Sequence, residues 1–329
     1  MDPTVASLNA AATAGDLEAL QQAIGNLHNG PSRSHDLGRA LAITMDRSHV
    51  ACFRILLQSG AAFNLSDTQG NRLIHIASRE YSHVPFLEIL IEQGASLEAR
   101  NDQEQTPLHI ACSGPCIPAA QLLINSGAAL ESRDRNGNTA LHCACLANSV
   151  YLMEMLLENG ARPEAENNNR ERALHLACIL NFQQCAKYLL SRGARPNLCV
   201  DITRRTNLHW ACMMENGIEY VQALLLWGAH PDAKDKKGRT PLHMLCQRES
   251  LDVLDVLLGA GADAKIVDYK GKTAVYHAVT SHETSAETQT LILNSLINAG
   301  ADPKLPCHAG QRPQDVAVHS IIKYALEIF

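Results

Sequence analysis

Apolar residues along this chain fall into a phrase that returns at a fixed distance. Its clearest instance runs Thr106-Pro107-Leu108-His109-Ile110-Ala111-Cys112, then Ala120-Gln121-Leu122-Leu123-Ile124, then Gly127-Ala128. Within each half the apolar positions recur every three or four residues, the spacing of one helical face. Thr followed by Pro marks a helix start, since Pro lacks an N–H where the first turn has no partner for one. Gly after the second run marks an end, where the chain needs a left-handed residue. The phrase predicts two short helices joined by a turn, followed by an extended hairpin that leads into the next instance.

The slot held by His109 is filled in turn by Asn9, Ala42, His75, His109, His142, His175, His209, His243, Tyr276 and Asp315, at steps of 33 or 34 residues until a last step of 39. Units of this size bury no core alone and must stack on their neighbours. The phrase resembles the ankyrin repeat, whose signature is T-P-L-H-x-A in a period of 33 residues. The resemblance extends over essentially the whole chain. It implies an all-α fold, a solenoid of about ten stacked helix-turn-helix units with short β-hairpin fingers. A single domain over 1–329 is expected, with an N-terminal capping unit at 1–34, internal repeats at 35–306 and a C-terminal capping unit at 307–329.

Departures from the phrase carry their own expectations. Asn136-Gly137 is a strong tight-turn pair, whereas Glu104, Arg170 and Arg204 stand in the glycine slot of their hairpins, so those turns should be less ideal. Arg72-Leu73, Arg172-Ala173 and Asn207 replace parts of the Thr-Pro start. The long last step reflects an insertion within Ser281–Thr288, read as a polar loop between two helices.

Composition narrows the function. Net charge is −6 and aromatic residues make up 4% of the chain, which argues against a nucleic-acid platform or a basic membrane-binding surface. The start has no secretory pattern and no apolar stretch is long enough to span a bilayer, so a cytoplasmic or nuclear, monomeric protein is expected, with neither nucleic acid nor membrane as partner. Five of the eleven cysteines, Cys112, Cys145, Cys178, Cys212 and Cys246, share one slot and read as reduced packing residues. In the family the slot histidine is structural, its imidazole tying one unit to the next. No phosphate loop, G-x-S-x-G or H-E-x-x-H is present. No catalytic residue, cofactor or metal site is expected.

Function should then sit on the surface that neighbouring repeats present together. The resemblance implies a concave face made of the hairpin tips and of the two residues after the Ala-Cys pair. The last tips are Ile202, Thr203, Arg205; Lys236, Lys237, Arg239; and Tyr269, Lys270, Lys272, with no acid among them. In the floor an apolar patch, Leu146, Ile179, Leu180, Met213 and Met214, stands where a solvated helix face is ordinarily polar. These floor residues with Arg205, Lys236, Lys237, Arg239, Tyr269, Lys270 and Lys272 are the candidate partner-binding set, suited to an apolar protein segment with an acidic flank. The opposing reading has the floor covering core and the lysines simply solvated. A scaffold or adaptor is the expected function. The alternative is a substrate receptor of a cullin-type ubiquitin ligase, because L-H-x-A-C with Leu-Leu-x-x-Gly-Ala is similar to repeats of the ankyrin and SOCS-box family. The S/T-L-x-x-x-C and L-P-x-P elements of a SOCS box do not follow Gly310.

Overall fold

A helix of seven residues, such as Pro107–Ser113, is too short to persist in water and owes its existence to what it packs against. The structure, a computed structural model, describes residues 3–28, 30, 32–199, 203–214 and 217–328. It divides into two compact units, residues 1–168 and 169–329. In the first unit the helix pairs are Pro3–Ala14 with Leu17–Asn26, Arg33–Asp46 with Val50–Gln58, Leu73–Ala77 with Val84–Glu92, Pro107–Ser113 with Ile117–Asn125, and Ala140–Leu146 with Val150–Glu158. In the second they are Ala173–Ile179 with Gln183–Ser191, Asn207–Ala211 with Ile218–Leu226, Pro241–Leu245 with Leu251–Gly259, Ala274–Val279 with Ala286–Asn298, and Pro313–Val316 with Ser320–Ile328. Inside each unit, first helices pack on first helices and second on second. Leu108, Ala111, Cys112, Ala119, Ala120 and Leu123 are sealed between them, and their counterparts fill the same places in neighbouring repeats. Burial raises the Cys112, Cys178, Cys212 and Cys246 thiols well above their ordinary range, as expected of inert packing residues.

The slot histidine spans two repeats. His109 Nδ1 accepts from the Thr106 amide at 3.2 Å and the Thr106 hydroxyl at 2.8 Å, and its Nε2 donates to Asn138 O at 2.9 Å. His209 does the same with Thr206 and Arg239 O, and His243 with Thr240 and Lys272 O. Where Arg72 replaces Thr, only the backbone amide reaches His75 Nδ1, at 3.1 Å, while Nε2 is shared between Ala99 O and Gln105 O. With a donor facing one ring nitrogen and a carbonyl facing the other, only the neutral Nε2–H tautomer satisfies both. Two other slots keep half of this arrangement each: the Tyr276 hydroxyl reaches Gln311 Oε1 in the next finger at 3.2 Å, and the Asp315 carboxylate accepts the Arg312 amide of its own helix start at 2.8 Å.

The fingers are tight turns rather than extended strands; among the described residues one isolated bridge, Ser66 with Arg72, has strand character. The turns at Asp67, Asn101, Asp134, Asp235 and Asp268 are closed from within by an Asx side-chain oxygen. Asp134 Oδ1 accepts from the amides of Asn136 and Asn138, and Asp235 and Asp268 repeat this with Lys237 and Arg239, and with Lys270 and Lys272. Cys307 holds the same slot in the last finger. Amides of Ala309 and Gln311 point at its sulfur and, against burial, lower its pKa. Glu104 and Arg204 keep the left-handed conformation of the glycines they replace, with φ of 57° at both, and Arg170 does so at 63°. Those turns keep their shape and store the strain instead. The insertion also differs from a simple polar loop. The helix Ala286–Asn298 has 13 residues where Leu251–Gly259 has 9, so most of the extra chain is helical. Gln289, fully buried, donates to Ser281 O and Thr284 Oγ1 and pins the remainder.

Burial lowers the pKa of His75, His109, His209 and His277 below the usual 6.5, and burial together with the neighbouring His277 takes His243 to about 4. The unfolded chain takes up these protons near pH 6.5 and the folded chain only lower, so their stabilisation is complete above pH 6.5 and is lost as pH falls toward 4. Denaturant unfolding followed from pH 7 to pH 4.5 should show stability falling as pH drops below 6.5, with His243 contributing up to roughly 1.4 kcal/mol per pH unit and the other histidines adding to the slope until each is protonated in the folded chain. A flat profile over that interval would contradict the neutral-imidazole bridge.

Candidate functional site

Successive fingers are tied at their tips by one backbone bond each. In the second unit the Lys236 amide donates to Thr203 O, the Tyr269 amide to Lys237 O at 3.0 Å, and the His308 amide to Lys270 O at 2.9 Å. This spacing brings Lys236, Lys237, Arg239, Tyr269, Lys270 and Lys272 together around one cleft of about 390 Å³, with Asp268 and His277 completing its lining. Six of the seven finger residues singled out by sequence thus share a site. The seventh, Arg205, is not part of this lining; its guanidinium stacks 5.0 Å from the centre of the Trp210 ring. Ile202 lies outside the described residues.

The five cations are not equivalent. Arg239 reaches the buried Asp235 carboxylate through Nε at 3.0 Å and a terminal nitrogen at 2.7 Å, so its charge is largely spent inside its own finger. Lys272 Nζ lies 4.3 Å from the centre of the Tyr276 ring. Lys236, Lys237 and Lys270 are exposed, and no carboxylate of a described residue pairs with them. Asp268 does not neutralise them. It is 6% exposed and accepts from its own turn amides and from His277 Nε2 at 3.1 Å. Burial works to raise its pKa, and the bonds from Lys272, His277 and Lys270 outweigh that and lower it. Asp268 and His277 were not among the residues singled out by sequence. The recurrence of Asp or Asn two positions before each finger's tip was the signal for the carboxylate.

Tyr269 is 63% exposed, yet its position is fixed from behind. Gly238, at φ 76°, lies so close beneath the ring that a β-carbon there would come within 2.7–2.9 Å of it. The ring therefore rests on the neighbouring finger beside the lysines.

The floor residues divide between the units. Leu146 belongs to the first and is 45% exposed; Ile179 and Leu180 in the second are 38% and 41% exposed. Met213 and Met214 are half-buried and line a cleft of about 220 Å³ with Arg248, Glu249, Ser250 and Glu283, the last paired to Arg248 at 3.0 Å. The helices Ala173–Ile179 and Asn207–Ala211 pack on each other, so the Ile-Leu and Met-Met pairs lie on adjacent repeats. Among the described residues no group of three or more His, Cys, Asp or Glu side chains is gathered as metal ligands, and no helix is long and apolar enough to cross a membrane.

Helix pairs tied by neutral imidazoles, with closed turns between them and variable residues at the turn tips, define a tandem-repeat protein. A sequence profile of ankyrin repeats, three copies long, matches residues 8–101, 93–167, 161–235 and 208–307. The chain belongs to the ankyrin-repeat family, whose repeats mediate protein–protein interaction. It is similar to the ankyrin repeat domain of Bcl-3, with 28% identity and a TM-score of 0.60 over 69% of this chain and 99% of that one. The ankyrin repeat domain of human ASB11 follows at 25% identity and 0.58, over 70% and 98%. Among relatives, "Ankyrin repeat-containing protein YGL242C" of Saccharomyces cerevisiae is 29% identical over 36% of this chain and 66% of its own length. "Ankyrin repeat and SOCS box protein 5" of Oryctolagus cuniculus is 33% identical over 31% of this chain and 29% of its own. The chain thus spans less than two thirds of these relatives.

Gly238→Ala should cost about 1–3 kcal/mol in chemical denaturation, from left-handed strain together with the collision with Tyr269. It should also shift the Tyr269 ring resonances. Unchanged resonances would mean that the ring is not held by this contact.

Proposed function

We propose that this protein is a non-catalytic scaffold or adaptor that grips a segment of a protein partner on its second unit. Ile179, Leu180, Met213 and Met214 receive apolar anchors, and Lys236, Lys237, Arg239, Tyr269, Lys270 and Lys272, with Arg205 beside them, face an acidic flank. The observation that carries this reading is the set of three exposed, uncompensated lysines on two adjoining fingers. A folded chain gains nothing from holding them together, and an acidic segment does. The methionines suit an adaptable apolar floor. Leu146 offers a separate apolar anchor on the first unit. The chain acts as one domain over 1–329, as a monomer, without cofactor or metal, in the cytoplasm or nucleus.

A second reading, substrate receptor of a cullin-type ubiquitin ligase, draws on the likeness to "Ankyrin repeat and SOCS box protein 5" and to the ASB11 domain. It adds a delivery role to the same gripping surface. Ubiquitin transfer to a bound segment in a reconstituted cullin assembly would separate it from a simple scaffold.

Selection of displayed random peptides on the whole chain tests the gripping surface. Enriched sequences should set two or three apolar residues beside Asp or Glu. Lys236→Glu, Lys237→Glu and Lys270→Glu together should weaken them by about 10- to 100-fold, and salt should weaken binding to the parent chain. Ile179→Ser with Met213→Ser should abolish capture while leaving thermal unfolding within a few degrees. Enrichment of basic peptides, or capture untouched by either set of changes, would overturn the proposal.

A further inference from the structure

The finger cleft combines two features that a plain acidic run does not use together: a cationic rim and an exposed aromatic ring seated on the neighbouring finger. We propose that the cleft recognises a phosphotyrosine side chain in the partner segment, its ring against Tyr269 and its phosphoryl group among Lys236, Lys237 and Lys270. This rests on the reading of the fingers as the charged side of a segment-binding surface, and it names the group they take.

The argument runs from the distribution of charge and donors. A phosphoryl group brings close to two negative charges and three strong acceptor oxygens to one point. Each lysine offers a mobile ammonium with three donors on a flexible stem, so ammoniums from adjoining fingers can converge on such a point. The fork of Arg239, which would otherwise orient a phosphate by itself, is engaged by Asp235 through two nitrogens. Orientation must therefore come from elsewhere in the cleft, and Tyr269 is placed to supply it. Its ring is held over Gly238 and its backbone amide is bonded to Lys237 O, so the ring is seated on the finger that carries two of the lysines. Offset stacking of an aryl ring on that face rewards phosphotyrosine over phosphoserine or a carboxylate. Asp268, which lines the cleft, spends its carboxylate on the amides of its own turn and on His277, and Asp235 closes its turn in the same way. A volume of about 390 Å³ admits an aryl phosphate.

The test is a titration of the whole chain, followed by NMR, with phenyl phosphate, inorganic phosphate, hexaglutamate and adenosine monophosphate as probes. Phenyl phosphate should bind, shift the Tyr269 ring signals and exceed inorganic phosphate by roughly three- to tenfold. Tyr269→Ala should erase that margin while leaving inorganic phosphate unchanged, and Lys236→Ala, Lys237→Ala and Lys270→Ala together should remove both. Thermal unfolding of each variant confirms that the fold is kept. Absence of binding, equal binding of phenyl and inorganic phosphate, tighter binding of the nucleotide, or hexaglutamate binding as tightly as phenyl phosphate would each overturn the proposal. The chain carrying Ile179→Ser and Met213→Ser should still bind phenyl phosphate; a failure of the floor thus shows separately from a failure of the cleft.

Discussion

Within each unit one imidazole ring, held neutral, joins a regular repeat to its neighbour. Its Nδ1 closes the first turn of its own helix by accepting from the cap residue, and its Nε2–H meets a carbonyl of the following finger, as in His109 with Thr106 and Asn138. A helix of five to seven residues has no cooperative reserve of its own. The ring supplies a fixed start to that helix and a fixed distance to its neighbour in one side chain. Apolar burial provides the larger share of the free energy, but it is indifferent to small slips along the stack. The directed bonds of the imidazole set the register, and with it the position of every finger.

That division of labour explains where a binding surface can form. Helix interiors are committed to packing and the Asx slot to closing the turn. Only the tips and the helix ends facing them can vary without cost to the fold. In the first unit several of these places serve neighbouring fingers: Asn101 Nδ2 bonds Asn71 Oδ1, Asn167 Nδ2 bonds Asn138 Oδ1, and the Arg100 guanidinium bonds Arg133 O. In the second unit the side chains at 236, 237 and 270 serve no such purpose. They are held at one spacing by backbone bonds and are left open to solvent.

The sequence revealed the architecture because the repeat reports the same physics many times over. Thr, Pro, Leu and His at fixed positions each answer a separate demand of a helix start, and their recurrence removes the ambiguity that any one of them carries. Six of the seven finger residues proposed from sequence meet in one cleft. What sequence did not disclose depends on single contacts. Asp235 lies four residues before Arg239 and consumes its charge, a pairing that the tip pattern alone does not distinguish from the open Lys237. Glu104, Arg170 and Arg204 look like broken turns in sequence and are intact ones in space, because each adopts the left-handed conformation of the glycine it replaces. The insertion after Ser281 looks like a polar loop because it is rich in Ser, Thr and Glu, yet Gln289 carries its amide inward and the helix begins early. The floor residues are the intermediate case. Ile179 and Leu180 are 38% and 41% exposed, whereas Met213 and Met214 are half-buried, so between them they show features of both readings that sequence left open.

The placement of the lysines makes the strongest physical case for a partner. Three ammonium groups around one cleft repel one another, and that repulsion is a standing cost to the folded state. The finger scaffold has simple means of relieving it. A carboxylate at 269 would pair across to Lys236 or Lys237, much as Glu98 and Glu131 reach the following repeat to accept the amides of Ala129 and Arg162. The position instead carries a tyrosine that accommodates no charge, while the two nearby aspartates are drawn inward by turn amides. Stability alone gives no reason to keep this combination. A ligand that brings concentrated negative charge and an aromatic face does, because it converts the repulsion among the lysines into binding energy at the moment of capture.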